Sequence, residues 1–226
     1  MKNLLLILLT TLVFCSFAQD FKRFQIGVNF SPEMAYRFLP NDPTVQAGLK
    51  GLEIPKFGFT TGINFCYNIT SVFGIETGLQ YSNKGWQMKK QDLIFESNLN
   101  GFSWTPTGDY YKIAYAFHYI DIPVKANFTV GKKKVRFFTS IGLVASILVQ
   151  ETSSLTMQES GKTTKTTKNS YDKTAAANLS PMLSLGIDYK INSKMNLRVE
   201  PTARFGVLNN VYLYNAGINL AYYFGL

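Results

Sequence analysis

The 226-residue chain is short of charge, has one histidine and two cysteines, and contains no long apolar run. Each shortage excludes a class of protein. Charged residues make up 16% of the chain, against about 25% in soluble domains, which argues against disorder and against a well-solvated helical bundle. The best apolar stretch, Leu4 to Phe14, is shorter than the ~18 to 20 residues of a membrane-spanning helix. A helical membrane protein is therefore excluded, but a strand-built one is not. What is abundant is Phe and Tyr, 18 and 13 residues, with a net charge of +9.

The N-terminus reads as a secretory signal peptide over residues 1–18. Met1-Lys2-Asn3 gives a positive start, Leu4 to Phe14 an apolar core and Ser16-Phe17-Ala18 a small-x-small cleavage site. A lipoprotein signal at Cys15 is disfavoured by the bulky Phe14 before it. Cleavage after Ala18 leaves Cys66 alone, and one cysteine cannot make an intramolecular disulfide. The remaining residues, 19–226, are expected to form one domain.

From Gln19 onward apolar and polar residues alternate, the period of a strand with two different faces. Eight runs show it. Phe24 to Ser31, Phe57 to Tyr67, Phe73 to Ser82 and Ile120 to Phe128 lie in the first half; Val135 to Ile147, Leu183 to Lys190, Leu197 to Gly206 and Tyr214 to Phe224 lie in the second. Short turns near Asn68 to Ser71, Gly131 to Lys134 and Asn192 to Lys194 alternate with long polar segments near Arg37 to Lys56, Gly85 to Tyr110 and Gln150 to Asn178. A shorter loop surrounds Leu208 to Asn210. The Thr-, Ser- and Lys-rich stretch Thr152 to Lys173 reads as a mobile surface loop. Short turns at one end and long loops at the other fit a transmembrane up-and-down barrel.

Alternation alone does not separate a membrane barrel from a soluble one, whose apolar face points inward. The make-up of each face does. The polar face is mostly Gly, Ser, Asn, Gln and Thr, whereas a soluble surface carries roughly 25 to 35% charged residues. The apolar face has no charge in any of the eight runs, as expected where mid-membrane Arg or Lys costs about 2 to 4 kcal/mol. Aromatics gather at both ends of that face: Phe24, Tyr67, Phe73, Phe128, Tyr189 and Tyr222 at the short-turn end, and Phe30, Phe57, Tyr81, Phe205 and Tyr214 at the other. The expected fold is all-β, an eight-stranded antiparallel up-and-down transmembrane β-barrel.

Three segments carry a family resemblance. Tyr119-Ile120-Asp121-Ile122-Pro123-Val124-Lys125, the stretch Gly78-Leu79-Gln80-Tyr81-Ser82-Asn83-Lys84-Gly85, and the C-terminal strand Asn215-x-Gly217-x-x-Leu220-x-Tyr222 resemble the PorT-type outer-membrane β-barrel family, whose architecture is similar to OmpX and the OmpA barrel. The last strand is similar to the signal read by the barrel-assembly machinery, although it has Leu220 where an aromatic is usual and ends Phe224-Gly225-Leu226. The resemblance implies the cell outer membrane, with contacts to its lipids including lipopolysaccharide, and an accessory role in protein secretion as one reading of function.

The inward parity holds nine ionisable residues: Glu76, Asp121, Lys125, Arg136, Asp188, Lys190, Arg198, Glu200 and Arg204. In a narrow lumen they are expected to pair and plug the barrel, because an unpaired buried charge costs several kcal/mol. Lys162, Lys165, Lys168 and Lys173 fall in an outer segment suited to lipopolysaccharide phosphates, and Lys132, Lys133 and Lys134 in an inner turn. There is no nucleophile elbow, zinc spacing or phosphate loop, so neither an enzyme nor a cofactor is expected. His118 marks where a lipid A-modifying activity would sit. The cations form no groove with interleaved stacking aromatics, which excludes nucleic acid. The expectation is a monomer with a structural or interaction role in the envelope; a small-solute channel and an accessory of secretion are the alternatives.

Overall fold

Strands that alternate in polarity need different surroundings on their two faces, and here eight of them close on themselves. We describe, from a computed structural model, residues 22–39, 43–92, 109–159, 161–170, 177–206 and 212–226. The signal peptide, Lys173 and the loop at Leu208 to Asn210 lie outside the described residues. The elements are β1 (Phe24–Phe38), α1 (Pro43–Leu49), β2 (Glu53–Asn68), β3 (Phe73–Met88), β4 (Gln91–Asp92), β5 (Tyr110–Val130), β6 (Val135–Glu159), β7 (Lys162–Ser170), β8 (Ala177–Lys190), β9 (Met195–Phe205) and β10 (Tyr212–Gly225).

The ring runs β1-β2-β3-β5-β6-β8-β9-β10 and closes where β10 pairs antiparallel with β1, Gln25 opposite Gly225 and Tyr36 opposite Tyr214. Closure leaves no membrane-buried edge, a requirement in a medium without water to satisfy backbone groups. The remaining strands stand outside the ring, β4 paired with β5 and β7 paired with β6. The stretch from Thr152 is thus not the loop its composition suggests. β6 continues through it to Glu159 and turns back as β7, with Thr152 opposite Asn169 and Glu159 opposite Lys162. Backbone pairing, rather than an apolar face, holds this hairpin together.

Polarity is inverted relative to a water-soluble domain. Fully buried side chains include Glu76, Lys125, Asp121, Asp188 and Glu200, while Phe137 is 78% exposed, Phe57 62% and Leu185 59%. The exposed apolar band is the lipid face. Thr residues on it leave no polar group unpaired: Thr61 donates to the Asn29 carbonyl (2.8 Å), Thr77 to that of Pro123 (2.9 Å) and Thr139 to that of Ser184 (3.0 Å). Aromatic pairs ring both ends of the band. Phe24 and Tyr67 sit 4.9 Å apart, and Phe73 and Phe128 5.2 Å, at the short-turn end; Phe59 and Tyr81 (5.8 Å) and Phe205 and Tyr214 (5.6 Å) lie toward the other.

Two glycines serve the closure. Gly131, in the turn between β5 and β6, has φ +134°, a region side chains rarely adopt. Gly27 makes room inside the barrel, because a Cβ there would lie 2.6 Å from the Tyr223 ring.

Candidate functional site

The lumen of an eight-stranded barrel is just wide enough for side chains to fill it, so its chemistry is decided by which inward residues face one another. Arg198 on β9 spans the short-turn half. Its Nη1 donates to Glu76 on β3 (2.9 Å) and its Nε to Asp188 on β8 (2.9 Å). The guanidinium also lies 4.2 Å from the Tyr223 ring and 4.3 Å from that of Phe138. Lys125 binds the other Glu76 oxygen (2.5 Å) and Arg136 the other Asp188 oxygen (2.8 Å). Arg204 is the counterpart in the upper half, with Nη1 3.2 Å from Asp121 and Nη2 3.6 Å from Glu33; Lys84 donates to Asp121 at 3.0 Å.

Two of the nine predicted residues depart from the expected pairing. Glu200 has no cation within ion-pair distance among the described residues. Its charge is held by neutral donors instead, Ser184 Oγ at 2.6 Å and Asn219 Nδ2 at 2.7 Å. Behind Asn219 an amide ladder crosses the lumen: Asn29 donates to Asn219 (3.1 Å), Asn64 to Asn29 (3.3 Å) and Gln80 to Asn64 (2.7 Å). Lys190 sits at the short-turn mouth and makes no ion pair among the described residues. Glu33 and Lys84, which the run boundaries at Ser31 and Ser82 left out, are 4% exposed and belong to the network. With them the inward charges balance, Glu33, Glu76, Asp121, Asp188 and Glu200 against Lys84, Lys125, Arg136, Arg198 and Arg204. Neutrality matters because uncompensated charge in this setting would cost several kcal/mol.

The outer mouth is closed differently. Trp86, Tyr119, Leu148 and Leu213 form a buried apolar cluster, with Met88, Tyr115 and Phe117 packed on it. The rings of Trp86 and Tyr115 stack at 4.3 Å. Arg37 covers Trp86 at 3.5 Å and pairs with Glu53, and Lys84 lies 5.3 Å from the Tyr119 ring. None of this layer was legible as a site, because Trp86 and Glu53 fall in segments that read as loop. Parity carried on from Ser82 through Lys84 to Trp86 would have found it.

His118 points to the outer side of the wall near the loop end. Its Nδ1 bonds the Tyr81 hydroxyl, and its Nε2 is 3.4 Å from Thr152 Oγ1. Among the described residues no carboxylate bonds to it, and no group of three or more His, Cys, Asp or Glu could hold a metal. Lys162, Lys165 and Lys168 are exposed along β7, and Cys66 is buried against Ala221 and Tyr223.

Comparison with known proteins places this geometry in a family. Residues 17–226 match the model of the outer membrane protein beta-barrel domain family, and the chain belongs to that family. A comparison with curated proteins returned no match. Among solved structures, Neisserial surface protein A (NspA) is similar over 90% of this chain and 97% of its own, with 10% identity and a TM-score of 0.48. Ail, the attachment invasion locus protein of Yersinia pestis, is similar over 90% and 99%, with 11% identity and a TM-score of 0.41. The outer membrane protease OmpT from Escherichia coli is similar over 90% and 96%, with 8% identity and a TM-score of 0.45.

Proposed function

We propose that this outer-membrane β-barrel is a closed envelope protein with a structural and interaction role: its lumen is a packed ionic core, and its contacts are made by what projects from the two rims. One observation carries this reading. The inward charges of the lumen balance and interlock across it, Arg198 joining β9 to β3 and β8, and Arg204 joining β9 to β5 and β1. A solute path needs water-filled space at every level. Here the outer level is aromatic and the levels below are occupied by buried side chains, most of the charged ones paired.

Partners on this reading are the outer-membrane lipids. Lys162, Lys165 and Lys168 along β7 suit the phosphates of lipopolysaccharide, and Lys173 would extend the series. The signal peptide over residues 1–18 and the monomeric state belong to the same proposal.

The PorT-type resemblance keeps secretion as a second reading. Two charged residues of its Tyr119–Lys125 motif, however, are engaged in the lumen, Asp121 with Lys84 and Arg204, and Lys125 with Glu76. The motif is therefore accounted for by barrel architecture, and it lends the secretory role no independent support. Planar-bilayer recording of the purified protein separates closed from conducting. The closed reading expects no steady single-channel conductance, whereas regular openings that change in size with Trp86→Ala would overturn it.

A further inference from the structure

The described residues at the short-turn end carry Lys22, Arg23, Lys132, Lys133, Lys134, Lys190 and Lys194 in the chain-end and turn segments, and no acidic side chain there. In barrels of this kind that end faces the periplasm. Most of these cations point into water, as rim charges do. Two of them, Lys22 and Lys190, do not: they converge with Arg136 of β6 on one pocket in the mouth of the barrel.

The rest of the pocket wall is neutral and polar, with Thr129, Ser71, Asn192 and Ser193 among its residues. Its amides are already committed to one another: Gln25 donates to Asn196 (3.2 Å), Asn68 donates to Gln25 (3.2 Å) and Asn196 donates to Asp188 (3.1 Å). Asp188 is in turn shared between Arg136 and Arg198. Beyond the neutral hydroxyls of the wall, the donors left over are the cationic ones. Lys22 and Lys190 make no ion pair among the described residues, and the Arg136 Nε is buried without a hydrogen-bond partner. The charges of the lumen network below balance among themselves, so none of its described side chains is left to compensate these lysines.

Size selects the ligand class. The cavity is about 30 Å³, where one buried water needs roughly 10 to 15 Å³. It therefore admits a group with the bulk of two or three waters, which is that of a compact tetrahedral oxyanion. We propose that the periplasmic mouth is a binding site for a phosphate-class oxyanion, held by Lys22, Arg136 and Lys190, with the anion either free or the phosphate of an anionic lipid headgroup at the inner leaflet. Charge-assisted donation from a guanidinium and two ammonium groups is the chemistry such a group requires. The proposal does not depend on the outer rim or on the lumen being closed.

The test is calorimetric titration of inorganic phosphate into the full-length protein in maltoside micelles at low salt, with heat-modifiable gel migration as the check on folding. Saturable one-to-one binding is expected, weakened about tenfold by Lys190→Gln and further by Lys22→Gln with Lys190→Gln; neither lysine belongs to the lumen network. The triple substitution Lys132→Gln, Lys133→Gln, Lys134→Gln removes more rim charge outside the pocket and should leave affinity within about twofold. Absence of saturable binding overturns the proposal, as does an equal loss in the turn triple, which would make the effect one of diffuse rim charge. Repeating the titration in phosphatidylglycerol and in phosphatidylcholine nanodiscs identifies the source. Competition confined to phosphatidylglycerol assigns the site to the headgroup, and unchanged binding in both assigns it to the free ion.

Discussion

The ring and the hairpin above it are built from the same strand. β6 pairs with β8 through residues Val135 to Ile147 and with β7 through Glu151 to Glu159, yet the two halves follow different rules. In the lower half Phe137, Ile141 and Leu143 are exposed to lipid while Phe138, Ser140 and Val144 are buried. In the upper half both faces meet water, the outer edge of β7 is unpaired, and lysines recur every third residue at Lys162, Lys165 and Lys168. A three-residue spacing places successive lysines on opposite faces of a strand. That pattern protects an open edge against pairing with other chains and encodes no buried side. The bilayer enforces side-chain parity; the aqueous hairpin is held by its backbone pairing, with exposed side-chain bonds such as Thr152 to Asn169 added across it.

Substitutions should therefore have large effects in the ring and small ones in the hairpin. The largest expected effect is that of Arg198→Met, which leaves Glu76 and Asp188 each short of a partner. Loss of one member of a buried ionic cluster costs about 3 to 5 kcal/mol, read as a lower urea midpoint for unfolding from lipid vesicles. Next is Leu79→Arg on the lipid face, expected to cost about 2 to 4 kcal/mol, whereas Thr164→Arg in β7 should cost about 0.5 kcal/mol or less. Equal costs at these two positions would erase the distinction between ring and hairpin. Gly27→Val, which drives a side chain into the Tyr223 ring and the Tyr222 carbonyl, should cost about 1 to 3 kcal/mol through overpacking and be relieved only in part by Tyr223→Ala in the same chain. Smallest in stability is Lys162→Gln with Lys165→Gln and Lys168→Gln. It should leave the unfolding midpoint unchanged and weaken salt-sensitive binding to lipopolysaccharide-containing vesicles several-fold.

Which parts of the molecule were legible in the sequence follows from the same contrast. All eight ring strands could be read, because lipid on one side and packed polar groups on the other force alternation through Phe24, Ile26 and Val28 against Gln25, Gly27 and Asn29. At the ends of several strands that alternation is locally hidden. Pro32 sits on the outward face and broke the first run one residue before Glu33. Lys84 lay just beyond Ser82, in a stretch that looked polar throughout. Arg37 and Glu53, which pair across the outer mouth, came from a segment with no strand period. The hairpin reads as a loop for a physical reason too: Thr- and Lys-rich strands wet on both faces carry no period-two signal. Glu200 teaches a further limit, since sequence parity places a carboxylate in the lumen but does not say whether an Arg or a set of Ser and Asn donors will hold it.

The central claim is that the apolar face meets lipid while the polar face encloses a filled, dry lumen. Methyl NMR of the protein in lipid nanodiscs tests both halves at once. A nitroxide on the lipid tails should broaden the Leu79, Ile141 and Leu185 methyls several-fold more than those of Val144 and Ala221, which are 0% and 1% exposed. A water-soluble paramagnetic chelate should leave all five unaffected. Strong broadening of Val144 and Ala221 by the chelate would mean a water-filled lumen, and broadening of Leu79, Ile141 and Leu185 by it would mean that this face does not meet lipid; either result would contradict the account.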